Sequence, residues 1–143
     1  MEIRAVPSEY GSRMVNRTVI HVDDDRGMRE LTRRALGKAD KNVDYLGTDS
    51  GSKGLRWIEE SREPARLVLL MDLHMPEMSG FDILTSLAER HLLGRFPVIM
   101  LSSSEHDEDR ERGLALGATR FCIKPMDFKN LVDVMKQNMS ISV

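Results

Sequence analysis

The stretch Leu67-Val68-Leu69-Leu70-Met71-Asp72-Leu73-His74-Met75-Pro76 places a carboxylate directly after five apolar residues. A short, uninterrupted apolar run is typical of a strand that is buried on both faces. Asp72 is therefore predicted where a buried strand ends. A side chain in that position lies at the edge of the sheet, where it is available for chemistry.

Further apolar runs alternate along the chain with segments of helical period, the pattern of a parallel sheet wrapped by helices. The predicted strands are 18–22, 43–46, 67–71, 96–101 and 121–123, and the predicted helices are 26–36, 51–60, 80–91, 107–116 and 128–139. Asp25 and Asp127 precede two of these helices as N-caps, and Gly37, Gly94 and Gly117 stand where helices should stop. The sequence predicts an α/β fold with five strands and five helices.

The length of 143 residues is that of one domain. Residues 1–16 show neither strand nor helix period and are predicted to form an irregular tail before a domain over 17–143.

The composition is that of an ordinary soluble protein, with 41% hydrophobic and 31% charged residues and a net charge of -2. It gives no sign of nucleic-acid or membrane binding. The chain has neither a secretory signal pattern nor the roughly 20 apolar residues of a membrane span, which predicts a cytoplasmic protein.

Polar side chains follow four of the predicted strands. Asp23 and Asp24 end the first strand, Asp72 the third, Ser102 the fourth and Lys124 the fifth. In an open parallel sheet, ligand sites gather at these carboxyl ends. Clustered carboxylates repel one another unless a cation compensates them, and an all-oxygen donor set is the one that Mg²⁺ prefers. Each residue alone has a plainer explanation as a loop, turn or surface residue, so the hypothesis depends on their co-location.

A magnesium site of this kind is matched to a phosphoryl group. Asp72 is the candidate nucleophile, which would form an acyl phosphate. Lys124 and Ser102 would each contact one phosphoryl oxygen, and Mg²⁺ held by Asp24 and Asp72 would contact a third.

These residues resemble the receiver domain of two-component response regulators. The motifs that carry the resemblance are Val22-Asp23-Asp24, Met71-Asp72-Leu73-His74-Met75-Pro76-Glu77-Met78-Ser79-Gly80, Pro97-Val98-Ile99-Met100-Leu101-Ser102-Ser103 and Gly117-Ala118-Thr119-Arg120-Phe121-Cys122-Ile123-Lys124-Pro125. The resemblance implies a flavodoxin-like sheet of strand order 2-1-3-4-5, for which a receiver domain is itself a standard example. It covers residues 17 to about 139.

The resemblance also implies residue roles. Asp72 would be the phosphoacceptor, Asp24 a direct Mg²⁺ ligand, Asp23 a supporting one and the backbone carbonyl of His74 another. The Lys124–Pro125 bond is expected to be cis. Such a domain is a phosphoacceptor and no enzyme beyond its own phosphorylation and slow dephosphorylation.

The implied mechanism is a two-state switch. Ser102 is drawn toward the phosphoryl group, Phe121 moves inward, and a surface around the fourth helix and fifth strand is presented to a protein effector. The donor would be a sensor histidine kinase or a histidine phosphotransfer protein. The chain is expected to be a stand-alone receiver of this kind.

The sequence departs from the family pattern at Ser79, where aspartate is common, and at Met126, where phenylalanine is common. His74 and Ser104 occupy positions that the family varies to tune hydrolysis. With no carboxylate or amide at either position, little is expected to orient an attacking water, so the phosphorylated state is predicted to be long-lived.

Two other classes of function stay open from sequence. A phosphorelay intermediate, which passes the phosphoryl group on to a second histidine, would use the same residues. A haloacid-dehalogenase-type phosphatase would need a second aspartate where His74 stands. The segment 47–53 only superficially resembles a nucleotide phosphate loop, because its glycine and lysine spacing is wrong.

Overall fold

A parallel five-stranded sheet in the order β2-β1-β3-β4-β5 forms the centre of the computed structural model, which describes residues 16–141. The predicted tail over 1–16 thus lies almost wholly outside the described residues. The strands are β1 (Arg17–Val22), β2 (Val43–Thr48), β3 (Leu67–Asp72), β4 (Val98–Ser102) and β5 (Arg120–Ile123). The helices are α1 (Arg26–Ala39), α2 (Gly51–Glu60), α3 (Gly80–Glu89), α4 (Asp107–Ala115) and α5 (Phe128–Met139), and a 3-10 turn (Pro64–Arg66) leads into β3.

The apolar runs form central strands because both faces of the sheet are covered. Alternate residues of β3 point to opposite faces, so Leu69 and Met71 join a core with α2 and α3. Val68 and Leu70 join a second core with α1 and α5. All six residues of β3 are buried. The predicted fold class, the strand order and the five helices are confirmed.

Four predicted boundaries were wrong by two or three residues. Strand β2 continues to Thr48 rather than ending at Leu46, and helix α3 ends at Glu89 rather than His91. Helix α1 continues through Gly37 to Ala39, and the Asp40 N–H closes its last turn on the Leu36 carbonyl at 2.9 Å. A glycine inside a helix costs only about 1 kcal/mol, which the rest of the helix outweighs. Strand β4 begins at Val98 rather than Phe96, because Pro97 has no N–H to donate to a ladder.

Side-chain caps begin the helices that frame the sheet edge. Asp25 Oδ1 accepts the Met28 N–H at 3.1 Å, and Asp127 Oδ1 accepts the Asn130 N–H at 2.8 Å, as predicted. Ser79, which departs from the family pattern, caps α3 in a reciprocal capping box with Asp82. That substitution therefore keeps the start of α3 in place.

Within residues 16–141, every helix is too short or too polar to span a bilayer.

Candidate functional site

The parallel arrangement brings the four polar strand ends to one edge of the sheet. Asp72 is the last residue of β3 and Ser102 the last of β4. Asp23 and Asp24 directly follow β1, and Lys124 directly follows β5. Because β1, β3, β4 and β5 are successive neighbours in the sheet, their carboxyl ends lie side by side.

Lys124 joins the two buried carboxylates of this edge. Its Nζ lies 3.1 Å from Asp23 Oδ2 and 3.4 Å from Asp72 Oδ1. Asp23 is 0% exposed and Asp72 is 7% exposed, whereas Asp24 is exposed. One carboxylate oxygen from each of the three aspartates lies within 4.8 Å of the others. The structure thus brings together three carboxylates and one ammonium.

The charges perturb one another in a consistent way. Burial raises the pKa of Asp72 above its ordinary value; the Asp23 carboxylate adds to this, and Lys124 opposes it. Burial pulls the pKa of Lys124 down, but the charges of Asp23 and Asp72 outweigh it and leave that pKa raised. Lys124 therefore stays charged, and an additional cation would further favour the ionised form of Asp72.

The donor set fits a hard divalent cation. Asp23 Oδ1 is engaged by the Asp25 N–H at 2.9 Å, but Oδ2 is buried and has no hydrogen-bond partner beyond its ion pair with Lys124. Among residues 16–141, Lys124 is the one lysine whose ammonium pairs with these carboxylates. A buried carboxylate oxygen without a hydrogen-bond donor and an excess of negative charge both suit a Mg²⁺ ligand set.

Ser102 and Phe121 lie on neighbouring strands beside this cluster. Ser102 is fully buried; its Oγ accepts the Ser104 N–H at 3.0 Å, and its carbonyl accepts the Lys124 N–H at 2.7 Å. The Phe121 ring is 8% exposed and packs in the core that contains Met100, its cross-strand partner. The ring borders a groove of about 260 Å³ under the β4–α4 loop.

The expectation of a cis bond before Pro125 is wrong. The described residues contain no cis peptide, so the Lys124–Pro125 bond is trans. The hydrogen bond from the Lys124 N–H to Ser102 already directs the chain at the end of β5, and the amine reaches both carboxylates from there.

His74 also lies at the site, through its backbone. Its N–H points at Asp72 Oδ1 from 3.4 Å, a long contact, while its side chain is exposed. This places the main chain of residue 74 beside the phosphoacceptor candidate.

Sequence reasoning missed a buried group behind Asp23. His21 is 0% exposed, with Nδ1 2.7 Å from the Tyr45 hydroxyl and Nε2 3.7 Å from Asp23 Oδ2. The Arg29 guanidinium donates to the Asp23 carbonyl at 2.7 Å. The available signal was strand period, since His21 and Asp23 are two residues apart and face the same side. Nothing local to Tyr45 or Arg29 indicated their roles.

A second missed residue is Asp109 in the first turn of α4. Its Oδ2 accepts the Ser104 hydroxyl at 2.7 Å and lies 3.9 Å from His74 Nε2. A carboxylate is thus present beside the two positions where none was expected. Because Ser104 already engages it, the long phosphoryl lifetime stays a prediction.

A family model described as the response regulator receiver domain matches residues 19–136. The chain belongs to this family. The transcriptional regulatory protein CpxR of Klebsiella pneumoniae is 34% identical over 114 residues, which are 80% of this chain and 45% of CpxR. The chain spans about half the length of the curated relatives it matches.

Solved structures agree on the fold of this receiver domain. The phosphorylated cyanobacterial phytochrome response regulator RcpA has a TM-score of 0.76 at 20% identity, covering 90% of this chain and 97% of RcpA. The Mn²⁺-bound form of response regulator Rcp1 has a TM-score of 0.72 at 17% identity, covering 89% of this chain and 98% of Rcp1. The fold is that of receivers in two-component signalling, whose members work with kinases and downstream effectors.

Proposed function

We propose that Asp72 accepts a phosphoryl group from a phosphohistidine and thereby switches a protein-binding surface of this receiver domain. The observation that carries the proposal is the convergence of Asp72 with Asp23, Asp24 and Lys124 at one sheet edge. A carboxylate that is nearly buried, and is paired with an ammonium beside two further acids, is suited to forming an acyl phosphate.

The chain's own residues supply most of the transfer chemistry. An Asp72 carboxylate oxygen attacks phosphorus, the phosphorus–nitrogen bond to the donor histidine breaks, and the imidazole leaves with the bond's electron pair. Lys124, which stays protonated, moves its charge from the carboxylates toward the phosphoryl oxygens. Ser102 offers its hydroxyl proton to another oxygen once it turns from the loop toward the site.

The residues that would hold Mg²⁺ are Asp23, Asp24, Asp72 and the backbone carbonyl of His74. When bound, the ion supplies positive charge that offsets the negative charge of the phosphoryl oxygens. Among the structures of similar fold, Rcp1 has been solved with bound Mn²⁺ and RcpA in a phosphorylated form, which supports a divalent cation and a phosphoryl group as the ligands proposed here.

The switch would act through Ser102 and Phe121. The Ser102 hydroxyl now accepts the Ser104 N–H, so its rotation would disturb the loop that leads into α4. Phe121 is buried beside a groove lined by that loop, which leaves the ring an outward alternative. A shift between these arrangements would change the surface formed by α4 and β5.

The partners we propose are a sensor histidine kinase or a histidine phosphotransfer protein as donor, and a protein effector as receiver of the signal. We predict that the chain contacts neither nucleic acid nor a membrane. We also predict that it does not turn over phosphate esters as a phosphatase and that it is located in the cytoplasm.

A phosphotransfer screen with Asp72→Asn beside the wild type tests the proposal. We expect labelled phosphoryl transfer from a phosphohistidine donor to the wild type and none to Asp72→Asn. The matched control is Asp49→Asn, which removes an exposed carboxylate directly after β2 and should leave phosphate acceptance normal. Equal labelling of the Asp72 variant would disprove the assignment.

Further outcomes separate the alternatives. Onward transfer of the label to a second histidine protein would indicate a phosphorelay intermediate. Steady turnover of a phosphate ester would indicate a phosphatase. For the switch, Mg²⁺ with beryllofluoride should change the NMR signals of Phe121, and unchanged signals would count against it.

A further inference from the structure

Two buried polar atoms face each other behind the metal-site aspartates. His21 Nε2 and Asp23 Oδ2 lie 3.7 Å apart, and both side chains are 0% exposed. Nε2 has no hydrogen-bond partner, and Oδ2 has only its ion pair with Lys124 at 3.1 Å. An unpaired buried polar atom usually costs about 1–3 kcal/mol. A fully buried strand is an unfavourable place for a histidine unless its polar atoms are used.

The Tyr45 hydroxyl decides which nitrogen of His21 carries the proton. Tyr45 Oη lies 2.7 Å from His21 Nδ1 and 3.1 Å from the Arg29 carbonyl oxygen, but it has one proton to donate. If the proton goes to Arg29, the Nε2 lone pair of His21 faces the Asp23 carboxylate. If it goes to Nδ1, Nε2 bears the hydrogen and points it at the carboxylate.

The second arrangement is electrostatically better. It replaces a repulsion between a lone pair and an anion with an attraction between a donor and an anion. It costs the Arg29 carbonyl little, because that carbonyl lies inside α1, where helical N–H groups are its regular partners. Burial raises the pKa of Tyr45, so the hydroxyl keeps its proton for this bond.

The surroundings keep the imidazole neutral and in place. The ring is 0% exposed, and the positively charged Lys124 and Arg29 side chains both contact Asp23 beside it, so a second positive charge on the ring is disfavoured. Gly47, the cross-strand neighbour of His21, leaves room for Tyr45, since a Cβ there would lie 2.7 Å from the tyrosine oxygen. The ring therefore has one ring proton.

We propose that His21 is a positioning residue for the metal site, whose Nε2–H holds Asp23 Oδ2 toward the bound cation while Tyr45 fixes the tautomer. This inference rests on the proposed Mg²⁺ site. Unlike Lys124, a neutral donor orients the carboxylate without cancelling the charge that attracts the metal. Closing the 3.7 Å gap to a hydrogen bond requires a small movement of Asp23, which metal coordination would supply.

The first test is the tautomer of His21 in the metal-free protein, read from long-range ¹H–¹⁵N NMR correlations of its ring. We expect the Nε2–H form in the wild type and a mixture of tautomers in Tyr45→Phe. A wild-type ring protonated at Nδ1 would overturn the proposal, whatever the variants do.

The second test is Mg²⁺ affinity, measured by NMR titration in His21→Leu and His21→Gln. Loss of an outer-shell partner typically weakens metal binding 10–100-fold, and we expect about 10-fold for the leucine variant because the contact is long. Glutamine carries an amide N–H near the position of Nε2 and should recover most of that loss. Thr32→Val, a polar-to-apolar change at a buried site in α1, is the matched control and should bind Mg²⁺ normally.

The outcomes separate a positioning role from a packing role. Unchanged affinity in the leucine variant, or equal weakening in the leucine and glutamine variants, would overturn the proposal. If the leucine variant does not fold, the wild-type tautomer and the glutamine and phenylalanine variants decide it. Wild-type protein that binds no Mg²⁺ would remove the proposed metal site and this inference together, whereas normal wild-type binding with an unaffected leucine variant removes this inference alone.

Discussion

At the scale of a single residue, the one positive charge of Lys124 lies beside three negatively charged carboxylates. Its ammonium lies within 3.4 Å of oxygens from two aspartates, and Asp24 adds a third carboxylate nearby. Its positive charge opposes the rise that burial causes in the pKa of Asp72. The same position makes it a competitor for any divalent ion at these oxygens.

Replacing Lys124 with methionine should therefore have opposite effects on two properties. We expect Mg²⁺ affinity to rise about 5-fold, because roughly 1 kcal/mol of repulsion between two cations is removed. Phosphoryl transfer to Asp72 should fall. An NMR titration and a labelling assay measure the two, with Lys129→Met as the exposed control. Equal or weaker Mg²⁺ binding in Lys124→Met would show that the amine does not compete.

His21 should make stability depend on pH. Its folded pKa of about 3 lies below the ordinary 6.5, so below pH 6.5 the unfolded chain binds a proton that the folded chain does not. This contribution is fully present above pH 6.5 and is lost as the pH falls toward 3, by up to about 1.4 kcal/mol per pH unit.

Urea unfolding of the wild type and His21→Leu between pH 7.5 and 4 checks this sign. The difference in unfolding free energy between the two proteins isolates the histidine from the carboxylates, which titrate in both. We expect the leucine variant to gain relative stability as the pH falls. A difference that stays constant with pH would mean that His21 takes up its proton as readily in the folded chain as in the unfolded chain.

At the scale of elements, α4 buries the fewest residues of the five helices. Its one buried residue is Gly113, and among its side chains Asp109 bonds to Ser104 while Arg112 lies over the Phe81 ring at 4.1 Å. The helical period of the sequence predicted the span of this helix within one residue. It did not indicate that Asp109 turns inward to the β4–α4 loop, since no local pattern separates Asp109 from its acidic neighbours.

The Ser104–Asp109 hydrogen bond should be measurable as a coupling energy between the two positions in a double-mutant cycle of unfolding free energies. We expect Ser104→Ala and Asp109→Ala each to lower the free energy of unfolding by about 1 kcal/mol. The double variant should lose less than the sum, because the two changes remove one interaction. Urea unfolding measures all three, with Glu111→Ala as an exposed control on the same helix. Strict additivity would argue that the bond is absent in solution.

At the scale of the whole molecule, the site depends on how closely α3 packs against the end of β3. Gly80 begins α3, and its N–H donates to the Leu73 carbonyl at 2.9 Å. A Cβ at Gly80 would lie 3.1 Å from the Asp72 carbonyl oxygen and 3.2 Å from Leu73 Cα. These are backbone atoms, so only a shift of the helix or the strand end could relieve the contact.

Gly80→Ala should therefore destabilise the protein by about 1–3 kcal/mol, as overpacking does, and displace Asp72. Gly37→Ala is the matched control, because nothing lies within 4 Å of the added Cβ and the site is an exposed helix position. There we expect a gain of about 0.5–1 kcal/mol. Thermal or urea unfolding compares them, and stabilisation of both variants would contradict the close packing at Gly80.

The fold class, the strand order and the strand-end location of Asp23, Asp24, Asp72, Ser102 and Lys124 followed from the chain alone. Apolar runs and helical period are local properties, and the family motifs supplied the order of the strands. Parallel strands that end at one edge then require their terminal residues to meet. For these residues, sequence position was enough.

Only the tertiary structure decided what stands behind and beside that edge. Tyr45 reaches His21 because β2 pairs with β1 in one register, and Asp109 reaches Ser104 because α4 folds back over the loop. Such contacts depend on register, helix docking and side-chain direction, which arise from packing between distant segments and leave no local trace in the chain.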